Sequence, residues 1–193
     1  MHLSGDDEQL RPAEEDTKDN CFAHYTNRSL FERLVTLGYP HILLTEQYRA
    51  IPIIGDIVST VWYKDQVRSS VDPSFRPNMT TATTVLRSFC GIERPLAFLN
   101  VNGTDIRVGA SQSKQNEVEA IVATELAKAY AEAGIPAKDI VILTGYTAQV
   151  QLLKRSLALD PKVRDVEAYT VDSFQGEEAS VVILCMVGTR KLG

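Results

Sequence analysis

Cysteine is scarce in this 193-residue sequence: Cys21, Cys90 and Cys185 are odd in number, far apart, and form no C-x-x-C pair. That excludes a disulfide framework and a zinc site of the usual spacing, and it fits a reduced, intracellular protein, cytoplasmic or nuclear. The histidines, His2, His24 and His41, show no metal-ligand spacing either. Long apolar runs are also missing. The longest, Val181–Val187, has seven residues, against about 20 for a membrane helix. The opening Met1-His-Leu-Ser-Gly-Asp-Asp-Glu8 has neither the basic start nor the apolar stretch of a signal peptide, so neither membrane spans nor ordinary secretion is expected. Positive charge is not in excess: the net charge is −5. Residues 1–20 hold seven acids against Arg11 and Lys18, whereas residues 21–193 hold 18 of each sign. A neutral body does not mark a nucleic-acid binder through bulk charge, so such a role needs a local site.

The composition is otherwise that of a globular chain, 44% apolar and 23% charged. The length suits one domain, or one and a fraction, with a core burying roughly 70% of the unfolded surface. Residues 13–20 have no apolar periodicity and read as a solvated loop. Leu30, Phe31, Leu34, Val35 and Leu37 fall at helical spacing before Gly38 and Pro40. Ile42–Thr45 reads as a short strand, and Pro52 opens a helix carrying Ile53, Ile54, Ile57, Val58, Val61 and Trp62. Residues 64–95 read as an irregular insertion. Leu96–Val101 is the next strand. Val118, Ile121, Val122, Leu126 and Ala129 mark a helix that Gly134 and Pro136 end. Strands at 140–143, 166–171 and 181–187, with a helix over Val150, Leu153 and Leu157, complete the pattern. Apolar strands alternating with helices predict an α/β fold, a mostly parallel sheet flanked by helices.

Ligands of such sheets gather beyond the carboxyl ends of the strands. Three polar segments fall there: Glu46-Gln47-Tyr48-Arg49, Thr144-Gly-Tyr146-Thr-Ala-Gln149, and Asp172-Ser-Phe-Gln175-Gly176-Glu-Glu178. Tyr48 offers a stacking ring and Arg49 a fork that matches phosphate oxygens. Gln149 and Gln175 can donate to phosphate or sugar, Gly176 admits an anion to the backbone, and Glu178 can accept from ribose hydroxyls. Taken singly, each has a plainer reading as a packed ring, a solvated charge or a turn. Ser173 belongs to no G-x-S-x-G elbow and no histidine lies near it in sequence, which disfavours a hydrolytic triad.

In order along the chain, Gly5-Asp-Asp-Glu-Gln-Leu-Arg-Pro12, Ser29-Leu-Phe-Glu-Arg-Leu34, Leu44-Thr-Glu-Gln-Tyr-Arg49 and Val171-Asp-Ser-Phe-Gln-Gly-Glu-Glu178 resemble successive motifs of superfamily 1 helicases. Among these the chain resembles the RNA/DNA helicases of the nonsense-mediated-decay type and their silencing-associated relatives. The resemblance implies a RecA-like, P-loop NTPase-type helicase C-terminal domain at residues 21–193. Residues 1–20 would be the end of a first RecA-like domain, with its sensing motif, and an acidic loop. It implies ATP with Mg²⁺ as cofactor, and as partners single-stranded RNA or DNA and the first RecA-like domain. Gln9 would sense the γ-phosphate and Arg49 would act as arginine finger. Gln47, Tyr48, Gly176 and Glu178 would bind the nucleotide, Tyr48 on the adenine and Glu178 on the ribose. Thr144, Tyr146, Gln149, Asp172 and Gln175 would lie along the nucleic-acid track.

The sequence also departs from that pattern. It has no G-x-x-x-x-G-K-[ST] and no Asp-Glu pair of the Mg²⁺-holding kind. Ala50-Ile51-Pro52 stands where Met-His-Pro is usual, Gly145 where proline is common, Glu177 where a base is frequent, and Gly188 in place of an arginine. No Thr-Arg-x-Arg motif appears before Gly193, so the second domain is expected to be truncated, and without the P-loop and the Mg²⁺ ligands the chain alone is expected to be inactive. A degenerate, non-catalytic RNA- or protein-binding module is the alternative.

Overall fold

The computed structural model describes residues 3–9, 27–70, 78–109 and 113–188. Leu10–Pro12 of the acidic head, the loop at 13–20, Cys21 and His24, Pro73 and Pro77, and everything after Gly188 lie outside the described residues. The chain divides into two compact units, Met1–Pro73 and Ser74–Gly193.

In the first unit, α1 (Leu30–Thr36) starts at Ser29, whose hydroxyl accepts from the Glu32 amide at 3.0 Å. This S-x-x-E start satisfies one of the orphan donors of the first turn. Strand β1 (Glu46–Gln47) runs parallel to β2 (Arg68–Ser69), and α2 (Pro52–Trp62) lies between them in the chain. The expected strand at 42–45 is displaced. The ladder begins only where the Arg68 amide meets the Thr45 carbonyl, and Ile42 is 92% exposed. An apolar run becomes a strand only with a partner, and β2 supplies two residues.

The second unit holds the core. Its sheet has the order β6–β5–β7, all parallel, with β5 at Ile140–Thr144, β6 at Glu167–Thr170 and β7 at Val181–Cys185. Two helices, α4 (Glu117–Glu132) and α5 (Thr147–Ala158), pack against each other and against the sheet. The α/β class read from the sequence holds, with its parallel sheet and flanking helices. Its details differ in five places. Residues 79–90, read as irregular, form helix α3, which buries Val85 and Leu86 and packs on α4. Leu96–Val101 joins no ladder, and Phe98 is 84% exposed. A small antiparallel pair, β3 (Ile106–Arg107) and β4 (Lys114–Gln115), forms where the apolar pattern marks no strand. The buried face of α4 is Ala120, Ala123, Leu126, Ala127 and Tyr130, while Ile121 is 61% exposed. Small residues let α4 approach its neighbours closely, so that stripe wins over the larger side chains. On β7, Val182 and Leu184 face outward, so this strand is not covered on both faces as expected. Among the described residues, no helix is long and apolar enough to cross a membrane.

Candidate functional site

The acidic head is structured where it is described. Asp6 forms a local turn, its Oδ1 accepting from the Glu8 amide at 3.1 Å. Its Oδ2 accepts from Gln9 Nε2 at 2.6 Å and from the Tyr63 hydroxyl at 2.6 Å. Tyr63 follows α2 directly and precedes two left-handed residues, Lys64 and Asp65. Partial burial, then the Asp6 carboxylate, push its phenol up to about 12. An ionised carboxylate only accepts, so the amide nitrogen of Gln9 must face Asp6 and its carbonyl is turned elsewhere. A shallow cleft of about 240 Å³ adjoins this segment, lined in part by Gly5, Asp6, Gln9, Ser29 and Phe31.

The Glu46–Ala50 loop is held from within. Gln47 Oε1 accepts from the amides of Arg49 at 3.0 Å and Ala50 at 2.8 Å. Its Nε2 donates to the Ala50 carbonyl at 2.9 Å and to Ser69 Oγ at 2.7 Å. Gln47, expected on the nucleotide, therefore has its amide engaged on the protein and positions the loop instead. Gly55 makes room for it: a Cβ there would lie 2.2 Å from Ser69 Oγ and 2.4 Å from Gln47 Nε2. Tyr48 and Arg49 are exposed on the loop so held, Tyr48 at 65%. The Tyr48 hydroxyl donates to the Glu46 carboxylate, which raises the phenol above its ordinary value.

In the second unit the carboxyl ends of β5, β6 and β7 lie side by side by register. After β6, a short 3₁₀ turn at Asp172–Phe174 is tied down by Ser173, which donates to Thr170 from its amide and hydroxyl. Phe174 packs on Tyr169, centroids 5.6 Å apart, and Lys154 sits over the Tyr169 ring at 5.6 Å. Asp172, Gln175, Gly176 and Glu178 are exposed, and Gly176 has φ +92°, a conformation that favours glycine. Tyr146 is half-buried at the start of α5.

Thr144 and Gln149 depart from their expected place on the nucleic-acid track, because both are fully buried. Gln149 Oε1 accepts from the Asn116 amide at 2.7 Å, and its Nε2 donates to the Asn116 carbonyl at 3.1 Å. The Thr144 hydroxyl has no hydrogen-bond partner among the described residues. Beside them burial pushes the Cys185 thiol up to about 12, with Glu119 adding to the shift. Tyr63, Gly55, Asn116 and Glu119 belong to these networks although no sequence motif above includes them. Only the last two carried a signal, the N-x-x-E of a helix start. Among the described residues, no group of three His, Cys, Asp or Glu could hold a metal ion.

Residues 26–193 match a family profile described as "AAA domain". The mouse protein 5'-3' DNA helicase ZGRF1 is 30% identical over 196 aligned residues, covering 99% of this chain and 10% of that protein. A regulator of nonsense transcripts 1 homolog from Arabidopsis thaliana is 30% identical over 172, covering 83% of this chain and 13% of its own length. The Saccharomyces cerevisiae DNA polymerase alpha-associated DNA helicase A is 27% identical over 196, covering 96% of the chain and 29% of that protein. The chain thus spans a minor part of each of these relatives. With its parallel sheet, its motif order and these relatives, the chain belongs to the AAA-domain family, as a superfamily 1 helicase domain of the nonsense-mediated-decay type.

Proposed function

We propose that this chain is the ATP-coupling and nucleic-acid-binding half of an ATP-dependent helicase. In this reading residues 21–193 form its second RecA-like domain, and residues 1–20 are the end of the first with an acidic loop. The observation that carries this reading is the Gln47-braced loop, which offers an aromatic ring and a guanidinium together at the end of a parallel strand. A nucleotide needs those two groups: a face for the base and a cation for the charge that develops on the transferring phosphoryl. In this reading Tyr48 stacks on the adenine and Arg49 reaches the γ-phosphate. Gln9, its amide nitrogen tied to Asp6, presents its carbonyl to the attacking water. Gly176 and Glu178 lie against phosphate and ribose, and Gln47 positions. Asp172, Gln175 and Tyr146 line the single-stranded track, with Thr144 and Gln149 supporting them from beneath.

The residues suit ATP better than its metal. Arg49, the ring of Tyr48 and the left-handed Gly176 fit a nucleotide, but no described cluster fits Mg²⁺, whose ligands are assigned to the first RecA-like domain. Bound Mg²⁺ would supply charge neutralisation on the β- and γ-oxygens.

The test is a titration of fluorescently labelled single-stranded RNA and DNA oligonucleotides into the 193-residue protein. Saturable binding that weakens with salt and on Asp172→Ala plus Gln175→Ala is expected. Binding of neither oligonucleotide contradicts the reading and leaves the alternative, a degenerate module that binds protein.

A further inference from the structure

The chain leaves β7 through a turn that no other part of the described fold repeats. Val187 is fully buried yet has φ +64°, and the Gly188 amide donates to the Met186 carbonyl at 2.7 Å. That is a three-residue γ-turn in its positive-φ form, which is rare and strained, and strained further by a β-branched residue at its centre. Such a conformation persists only where the surroundings over-determine it.

Here they do. The Val187 amide donates to Glu119 Oε2 at 2.8 Å, and its carbonyl accepts from Asn116 Nδ2 at 3.4 Å. Asn116 is itself immobilised: its main chain is gripped on both sides by Gln149, and its Oδ1 accepts from the Glu119 amide at 3.2 Å. A Cβ on Gly103 would come within 2.3 Å of that Oδ1. An N-x-x-E start ordinarily closes on itself, the glutamate reaching back to the amide of the capping residue. In this helix that amide is taken by Gln149, and the glutamate is diverted to the strained turn.

We propose that Asn116 and Glu119 are positioning residues of the nucleic-acid face. They hold Met186–Gly188 in its strained turn and so set where the end of β7 meets a single strand. The proposal rests on the reading that this edge of the sheet binds nucleic acid. Glu119 would repel a phosphodiester if its carboxylate were loose, and its bond to the Val187 amide turns it away.

The experiment uses the whole 193-residue protein and two readouts: amide hydrogen exchange across Met186–Gly188, and binding of a labelled single-stranded oligonucleotide. Glu119→Ala removes a negative charge, which by itself would tighten binding of a polyanion. The proposal expects the opposite, faster exchange and binding weakened about fivefold, the size of one net hydrogen bond. Glu119→Gln keeps an acceptor and restores both. Glu119→Asp keeps the charge but loses the reach, so it behaves like Glu119→Ala and decides the matter if the alanine variant does not fold. Glu117→Ala, an equal charge change at an exposed position of the same turn, leaves exchange unchanged and binding unchanged or slightly tighter. Faster exchange with unchanged or tighter binding overturns the positioning role while leaving the nucleic-acid reading intact. Absence of binding by the unmodified protein, with exchange still responding to Glu119, overturns both.

Discussion

Gly55 sets two physical effects against each other. Alanine is the better helix former by about 1 kcal/mol, so a substitution within α2 would ordinarily stabilise. Its Cβ, however, would fall 2.4 Å from Gln47 Nε2, whose side chain makes four hydrogen bonds that hold the Tyr48–Arg49 loop. Overpacking costs about 1–3 kcal/mol and the displaced bonds add to it. Gly55→Ala is therefore expected to lower the urea midpoint; a raised midpoint contradicts the role given to Gln47. Little of this was legible in the sequence. Gln47 and Gln149 could be read as polar groups near strand ends, but not that each turns inward to a neighbouring main chain. Which way an amide points depends on residues distant in sequence, Ser69 for one and Asn116 for the other.

A thiol and two phenols, wholly or partly buried, give a pH test at the same scale. Cys185, ordinarily near 9.0, Tyr63 and Tyr130, ordinarily near 10.0, are each pushed up to about 12, burial being the main cause in every case. A group whose acidity is weakened by folding supports the fold while protonated. Their contribution is complete below pH 9 and is lost between pH 9 and 12, Cys185 first and the tyrosines from pH 10. Unfolding free energy measured by urea from pH 8 to 12 is expected to be level and then to fall, with Cys185→Ala flattening the onset. A fall that Cys185→Ala leaves unchanged contradicts the burial assigned to the thiol.

Among elements, those with a strong period were readable and those defined by a distant partner were not. Helices α2, α4 and α5 and strands β5, β6 and β7 follow from apolar spacing and from the glycine and proline that bound them. Helix α3 was hidden by its threonines, poor helix formers, although Ala82, Val85, Leu86 and Phe89 keep helical spacing beneath them. Thr83 and Thr84 satisfy their hydroxyls on the carbonyls of Met79 and Thr80, which lets the helix carry them. Ile42–Thr45 and Leu96–Val101 were over-read, since an apolar run does not say what it pairs with. If α3 belongs to the core, Leu86→Ala costs about 2–5 kcal/mol by thermal or urea unfolding. A cost near zero would mean that α3 only rests on the surface.

For the whole molecule, the charge distribution acquires a meaning that its sum lacked. By charge alone the acidic head has no evident role, yet Asp6 organises Gln9 and receives Tyr63. The neutral body is compatible with a motor half whose contacts with nucleic acid are local and whose phosphate-cradling loop lies in another domain. The most direct measurement is ATP hydrolysis, by the 193-residue protein alone and by the same residues joined to a first RecA-like domain carrying a P-loop and an Asp-Glu pair. The account predicts no measurable turnover by the first. It predicts hydrolysis by the second that is stimulated by single-stranded nucleic acid and that Arg49→Ala lowers by about 10³-fold or more. Turnover by the isolated chain that Arg49→Ala abolishes, or joined-protein hydrolysis indifferent to Arg49, would contradict it.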